Sequence, residues 1–275
     1  MSVESMDGLP LGKETDYADQ YCAELLFPIA RAATRESLGL DEQNLPFRGC
    51  DIWNAYEMSW LNSKGLPQVA CAEFIFACDS VAIIESKSFK LYLNSFNQSR
   101  FDDWQQVTEL LAKDLCAAAG TAVEVRLQPV DQPISQSLDA LPAQCLDQQD
   151  ISIEVYDPNP DLLTTSAGTE RVTLVSHLLR SLCPVTGQPD WGSVYIDYDG
   201  PVIEREGLLR YIVGFRRHQE FHEQCVERIY RDIMARCGAN SLSVYARYVR
   251  RGGLDINPFR SSNQDRVENC RLFRQ

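Results

Sequence analysis

The stretch Ser181–Gly192, SLCPVTGQPDWG, carries the residue types best suited to covalent chemistry. Cys183 ends an apolar run and enters a loop shaped by proline and glycine. A thiol with an ordinary pKa of about 8.5 is a few per cent thiolate at neutral pH and attacks electrophilic carbon well. Asp190 can fold back across this loop and donate or accept a proton. These residues predict an exposed nucleophile beside an acid; the alternative is a packed core thiol next to a turn with a solvated aspartate.

A second candidate group is Phe221-His222-Glu223, which opens a predicted helix. The structural interpretation is that a carboxylate in the first helical turn is stabilised by the helix dipole. The functional interpretation is that Glu223 accepts hydrogen bonds from the N–H groups of a flat heterocycle, with Phe221 as a packing surface. The sequence leaves both interpretations open.

Two further segments offer groups for an anion. Glu85–Ser88 lies where another helix is predicted to begin, with Ser86 or Ser88 as its N-cap. A lysine in the first turn opposes the helix dipole, so Lys87 is a candidate for holding a phosphate. Arg250–Gly253 follows a predicted strand and combines two guanidinium groups with flexible backbone N–H groups; the alternative is a charged strand end followed by a turn. The sequence contains neither a Rossmann nor a Walker phosphate loop.

Composition narrows the classes of partner. A formal net charge of −13 and a pI near 4.7 oppose binding to nucleic acid. No apolar run approaches the roughly 20 residues that cross a bilayer, and the first residues lack a signal-peptide pattern, so we expect a cytoplasmic protein that binds no membrane. The ten cysteines are scattered without a C-x-x-C pair, which predicts reduced thiols. Three histidines, none in a recognisable ligand pattern, predict that no metal is bound.

An internal repeat organises the elements that must position these residues. At an offset of 119 residues, Ile84 and Glu85 align with Ile203 and Glu204. Apolar residues then recur at helical spacing in both segments, namely Phe89, Tyr92, Leu93 and Phe96 in one and Leu208, Tyr211, Ile212 and Phe215 in the other. Second helices are predicted over Phe101–Ala118 and Phe221–Cys237, stopped by Gly120 and Gly238. Strand patterns cover Ala70–Phe76, Val172–Leu178, Ser193–Tyr198 and the runs that begin at Thr121 and Asn240.

The two copies of the repeat predict two domains. A stretch rich in proline, glutamine, aspartate and serine separates them, as is typical of a connection. We place an N-terminal module at residues 1–135, a connecting segment at 136–160 and a C-terminal module with Cys183 at 161–275. We expect the first 50 residues, which have no counterpart in the repeat, to wrap the first module.

Taken together, these motifs resemble the NADPH-dependent 7-cyano-7-deazaguanine reductases of queuosine biosynthesis, in their long two-module form. Segment Glu85–Tyr92 fits the family signature as ESKSFKLY. The stretches SHLLRSLCPVTGQPDWG, EFHEQCVERIY and SVYARYVRRGGLDINPFRS also look like this family. The resemblance covers nearly the whole chain.

The resemblance implies an α+β fold of two tandem tunnelling-fold modules, each an antiparallel sheet with a pair of helices on one face, in a homodimer. It implies that Cys183 adds to the nitrile of a small deazapurine to form a covalent thioimide, with Asp190 as proton donor and NADPH as hydride source. By the same resemblance, further residues bind the substrate and the cofactor: Glu85 and Glu223 as anchors, Ile84, Ser86 and His222 as pocket lining, and Ser86, Lys87, Arg251 and Gly252 against NADPH.

Three questions stay open at this point. Glu204, the repeat counterpart of Glu85, is interpreted as a non-catalytic remnant. A tunnelling-fold enzyme of another chemistry, such as a pterin synthase or cyclohydrolase, is the nearest alternative, although such enzymes typically use metal-binding histidines. A ligand-binding or assembly module, in which Cys183 is a packed core residue, is the alternative from another class.

Overall fold

The computed structural model describes residues 17–132 and 141–275, and these form two compact units. The first unit takes residues 17–44, 52–132 and 250–255, and the second takes residues 45–51, 141–249 and 256–275. The boundary predicted between residues 135 and 136 lies outside the described residues, so the domain limits stay a prediction.

The first unit contains a sheet in the order β5-β3-β2 and a separate antiparallel pair, β1 with β4. Its strands are β1 (Pro28–Ala30), β2 (Arg48–Leu61, from residue 52 onward), β3 (Pro67–Ala77), β4 (Ala82–Ile84) and β5 (Val123–Pro129). Its helices are α1 (Arg31–Glu36), α2 (Ser86–Asn94) and α3 (Trp104–Ala119). Since β1 pairs with β4, part of the first 50 residues lies in the first unit, whereas residues 45–51 belong to the second. That the first 50 residues wrap the first module stays a prediction.

The second unit contains a sheet in the order β11-β10-β9-β7-β6, with β8 paired to β9. Its strands are β6 (Gln144–Cys145), β7 (Thr165–Ser176), β8 (Arg180–Leu182), β9 (Pro189–Ile203), β10 (Ser241–Tyr248) and β11 (Leu254–Ser261, from residue 256 onward). Its helices are α4 (Arg205–Gly214) and α5 (His222–Cys237). The expectation of a purely antiparallel sheet is wrong here, because the short β6 from the connecting segment runs parallel to β7.

The fold is mixed α+β, and the repeat is visible in its elements. Helices α2 and α4 begin 119 residues apart, and α3 and α5 begin 118 apart. The predicted stops are confirmed, because Gly120 and Gly238 cap α3 and α5 in the left-handed conformation that glycine adopts freely. Helix α3 starts three residues later than predicted, since the side chain of Asp103 accepts a hydrogen bond from the backbone of Gln106 and acts as the N-cap.

An equivalent hydrogen bond ties together the repeated helix pair of each unit, α2 with α3 and α4 with α5. The hydroxyl of Tyr92 on α2 donates to Asp114 on α3 over 2.7 Å. The hydroxyl of Tyr211 on α4 donates to Asp232 on α5 over the same distance. Burial, reinforced by the neighbouring aspartate, raises the pKa of both tyrosines, so each hydroxyl keeps its proton and remains a donor.

Strand β11 was not predicted, because its sequence LDINPFRS does not alternate, yet all eight residues are buried. Its polar residues are buried with partners. In the second unit the guanidinium of Arg260 pairs with Asp51 and Glu227 at 2.7 and 2.8 Å, and all three side chains are almost fully excluded from solvent. Such a buried charge is tolerated only where partners satisfy it, and those partners come from distant parts of the chain.

Two features concern the described chain as a whole, namely its helix lengths and its cysteines. Within the two described ranges, no helix is long and apolar enough to cross a membrane. All ten cysteines are free thiols. Burial raises the pKa of Cys225, Cys270 and Cys237, the last to about 11, so these three stay protonated at neutral pH as core thiols.

Candidate active site

The β8–β9 hairpin brings Cys183 and Asp190 to one face. Ser181 lies opposite Asp190 in the strand register, and the backbone N–H of Cys183 donates to the carbonyl of Gln188. Side chains of directly opposed residues, and of residues two apart, point to the same side of a hairpin. Continued one residue past Leu182, where β8 ends, this alternation makes Cys183 and Asp190 diagonal neighbours, about 7 Å apart in such a ladder.

The expectation that Cys183 is openly exposed is wrong. Its side chain is 5% exposed, and Asp190 is 6% exposed. The physical reason is that the loop folds tightly over the residue: the carbonyl of Cys183 accepts from the backbone of Gly187, which turns the chain with a left-handed φ of 68°. The thiol therefore lies at the base of the loop and not at its tip.

Asp190 has a histidine partner. The Nε2 atom of His222, the first residue of α5, is 3.3 Å from Oδ2 of Asp190. The imidazole also stacks on the ring of Tyr248, with centroids 3.7 Å apart and planes inclined by 4°. Sequence reasoning missed Tyr248, because nothing in the strand pattern of β10 indicates that its last residue meets the start of α5.

Glu223 follows His222 in the first turn of α5 and is buried. The helix begins after Phe221, whose side chain makes no capping hydrogen bond. The helix dipole at this end favours a negative charge, so the carboxylate is in a favourable place whether or not it binds a ligand. The structure thus brings together Cys183, Asp190, His222 and Glu223 in one unit.

A buried ion pair anchors the segment that precedes α5. The guanidinium of Arg228 binds both carboxylate oxygens of Glu220, and Nε2 of His218 lies 2.9 Å from the same carboxylate. The backbone N–H of Leu182, the residue before Cys183, donates to the carbonyl of His218 over 2.8 Å. Glu220 therefore supports the segment that contacts the loop of Cys183, which the sequence did not reveal.

We expect the Glu220→Gln variant to lose about 1–3 kcal/mol of unfolding free energy near pH 7, because Glu220 loses its charge-assisted hydrogen bonds. Burial by itself would raise the pKa of Glu220, but the hydrogen bonds from His218 and Arg228 outweigh burial and lower it. A lowered pKa gives stability that is present above the unfolded pKa and is lost as the pH falls through the folded value. Urea unfolding at several pH values measures this; a difference between wild type and variant that stays constant down to about pH 4 would contradict it.

Glu85 corrects the predicted start of α2. Neither Ser86 nor Ser88 is the N-cap: the carboxylate of Glu85 accepts from the backbone N–H groups of Lys87 at 2.9 Å and Ser88 at 2.7 Å. The reason is that Glu85 has an extended backbone, which directs its side chain back over the first turn. Glu85 is 2% exposed, and Ile84 before it is buried at the end of β4.

The predicted cofactor residues of the first unit lie on α2 or beside it. Ser86 and Lys87 begin α2, and the turn at Arg251 and Gly252 lies beside Lys90, one helical turn further on. Gly252 has a left-handed φ of 59°, and a Cβ atom there would be 2.9 Å from the side chain of Lys90. The turn is closed by reciprocal backbone bonds between residues 251 and 254. Lysine side chains and the glycine turn therefore lie close together at α2. One of these lysines, Lys90, is paired with Glu57 at 3.4 Å.

Glu204 differs from its repeat counterpart. It precedes α4 as Glu85 precedes α2, but it is exposed and its side chain makes no capping hydrogen bond. It borders an open cavity of about 660 Å³, whose charged lining includes Arg205 and Arg210. Arg205 is already bound to both carboxylate oxygens of Glu170, which lowers the pKa of that carboxyl.

Two models of known protein families match this chain. The family model described as nitrile reductase, 7-cyano-7-deazaguanine-reductase N-term, matches residues 17–127, and the model described as QueF-like protein matches residues 189–267. The first range includes Ile84–Lys87, and the second includes Asp190, His222, Glu223 and the Arg251–Gly252 turn. Cys183 lies outside both.

Relatives match over nearly the full length. An NADPH-dependent 7-cyano-7-deazaguanine reductase of Azoarcus sp. (strain BH72) is 57% identical over 99% of this chain and 98% of the relative. The protein of the same name from Burkholderia orbicola (strain MC0-3) is 56% identical over 97% and 98%. A crystal structure of the archaeosine synthase QueF-Like in the apo form covers 36% of this chain and 98% of its own, at 17% identity and a TM-score of 0.31, a likeness too low to support any conclusion.

Proposed function

Because this chain belongs to the family of NADPH-dependent 7-cyano-7-deazaguanine reductases, we propose that it reduces the nitrile of 7-cyano-7-deazaguanine to the amine 7-aminomethyl-7-deazaguanine. The product would serve the biosynthesis of queuosine, a modified nucleoside of tRNA. The observation that carries the proposal is the hairpin register that sets Cys183 and Asp190 on one face, with His222 beside Asp190.

The chemistry begins with a covalent addition. The sulfur of Cys183 bonds to the nitrile carbon while one π bond of C≡N breaks, and the electron pair moves to nitrogen, which takes a proton. The carboxyl group of Asp190 delivers that proton, and the proton that the thiol loses replaces it. The step thus adds S–H across C≡N and gives a thioimide, a more reactive C=N bond. A positioned acid of this kind contributes about 10²–10⁴-fold.

Carboxylates suit the recognition of the substrate. The edge of a deazaguanine presents several N–H donors. Glu85 would accept from such donors in the first unit, with Ile84 and Ser86 as lining, and Glu223 would do so in the second unit, with His222 as lining. Glu85 already accepts two backbone N–H groups, but an ionised carboxylate has about four acceptor positions. Buried acceptors that match the donors also reject analogues without those donors.

The groups of the first unit fit NADPH. Ser86 and Lys87 at the start of α2, together with Arg251 and Gly252, combine cationic side chains with a glycine backbone, which suits phosphate, whereas the backbone N–H groups of Lys87 and Ser88 are already bound by Glu85. In a chain with a net charge of −13, such a local positive field is what draws in an anionic cosubstrate. Bound there, NADPH supplies hydride, two for each nitrile.

The architecture proposed for this function is two tandem tunnelling-fold modules in a cytoplasmic homodimer. The repeat of paired helices at an offset of 118–119 residues supports two modules of one design. Glu204 would then be the non-catalytic remnant of the position that Glu85 occupies, in line with its exposure and its missing capping bond. No direct contact with nucleic acid or membrane is proposed.

Nitrile-dependent oxidation of NADPH tests the proposal. The purified chain, mixed with 7-cyano-7-deazaguanine and NADPH, is expected to oxidise about two NADPH per nitrile consumed and to release the amine, followed by absorbance and mass spectrometry. The Glu204→Gln variant is the matched control for Glu85→Gln: only the second should lose activity. Absence of NADPH oxidation above the blank would contradict the proposed activity. Loss of activity in a folded Glu204→Gln protein would contradict the non-catalytic role of Glu204.

A further inference from the structure

We infer that Tyr248 is the positioning residue that holds His222 against Asp190, and so sets the geometry of the proton donor. The inference rests on the proposed function and deepens it. Tyr248 ends β10 and is fully buried, and its ring lies flat on the imidazole at a centroid distance of 3.7 Å.

The imidazole has only one polar tether in this part of the structure. Its Nε2 faces Asp190 at 3.3 Å, whereas Nδ1 has no hydrogen-bond partner among residues 17–132 and 141–275. A catalytic histidine is usually oriented by a hydrogen bond to its second nitrogen. Here a flat aromatic contact takes that role, because rotation of the imidazole about its Cβ–Cγ bond would drive its edge into the ring of Tyr248. The stack thus keeps Nε2 directed at Asp190.

Tyr248 is itself held on several sides. Its backbone N–H donates to the side chain of Asn257 at 3.2 Å, and its carbonyl accepts from the side-chain amide of Gln275 at 3.0 Å. The same Gln275 amide also donates to Asn257 at 2.9 Å, which closes a small network behind the ring. Burial raises the pKa of Tyr248 well above its ordinary value, so the ring stays a neutral phenol.

Gly192 leaves the space that the ring needs. It lies opposite Tyr248 in the β9–β10 register, two residues after Asp190. A Cβ atom at Gly192 would be 3.2 Å from Cδ1 of Tyr248, so an alanine there forces the ring to move by a few tenths of an ångström. Gly192 therefore allows the ring of Tyr248, which aligns His222, to pack closely against the strand that carries Asp190.

The test measures the rate at which the cyano substrate forms a covalent adduct without NADPH, by intact-protein mass spectrometry. We expect Tyr248→Leu to slow this rate by roughly 10- to 100-fold, as a small misplacement of a catalytic group does. Tyr248→Phe keeps the flat ring and should stay within about threefold of wild type, because ring stacking does not need the hydroxyl. In a Cys183→Ala background, the dissociation constant of the nitrile should change far less than the adduct rate.

Two controls separate positioning from stability. Tyr198→Leu removes another buried tyrosine eight residues along β9 from Asp190, so it should lower the unfolding temperature without slowing the adduct. If Tyr248→Leu does not fold, Gly192→Ala tests the same role. It should slow adduct formation several-fold, because the added methyl group shifts the ring of Tyr248. A folded Tyr248→Leu, or Gly192→Ala in its place, that reacts at the wild-type rate overturns the role of Tyr248. A wild-type protein that forms no adduct overturns the proposed function itself.

Discussion

Replacing Cys183 by alanine is expected to abolish the covalent adduct and to lower turnover by at least about 10⁴-fold, because the nitrile loses its only covalent activator. The adduct is measured by intact-protein mass spectrometry after incubation with the cyano substrate. Turnover is measured by the oxidation of NADPH. The fold should persist, since alanine at this loop base keeps both backbone bonds of the residue.

Cys237→Ala is the matched control. This thiol is buried at the end of α5, and burial raises its pKa to about 11, so it is a protonated core residue. The variant should form the adduct as wild type does, even if it unfolds at a lower temperature because of the cavity. Turnover that survives in Cys183→Ala would remove Cys183 as the nucleophile.

Asp190→Asn is expected to slow adduct formation by about 10²–10⁴-fold, the usual contribution of a positioned acid. Asparagine is nearly isosteric and can still hydrogen-bond to His222, so the hairpin geometry is kept while the transferable proton is lost. Substrate affinity, measured by titration in a Cys183→Ala background, should change little. The rate and the affinity thus respond differently, as expected for an acid that acts only in the transition state.

Asp197→Asn serves as the control on the same strand. Asp197 accepts a hydrogen bond from Thr173 on β7 and lies seven residues beyond Asp190 along β9. Its substitution removes one carboxylate from the same strand and should leave the adduct rate unchanged. Equal rates for Asp190→Asn and wild type would exclude Asp190 as the acid.

The close approach of Cys183 and Asp190 was predictable because their relation is local. Cys183 and Asp190 lie on the two sides of one loop marked by proline and glycine, so a hairpin of ordinary length must bring them together. The helices were predictable for a similar reason: apolar spacing and the stops at Gly120 and Gly238 act within a few residues of the backbone that they shape. The start of α2 was predicted wrongly, because glutamate is not among the preferred N-cap residues. In the structure, the side chain of Glu85 nevertheless caps the helix.

The sequence by itself determined which residues are candidates for chemistry, where α3 and α5 end, and that the chain contains an internal repeat. Only the tertiary structure decided that the thiol of Cys183 is buried and that β11 is a strand held by the ion pairs of Arg260. It also decided that Glu220 anchors the segment next to the Cys183 loop, and that Tyr248 stacks on His222. The physical reason is separation along the chain. Apolar spacing and turn residues predict interactions across one helical turn or one hairpin. Buried charges and stacked rings depend on partners that only the folded chain brings into contact.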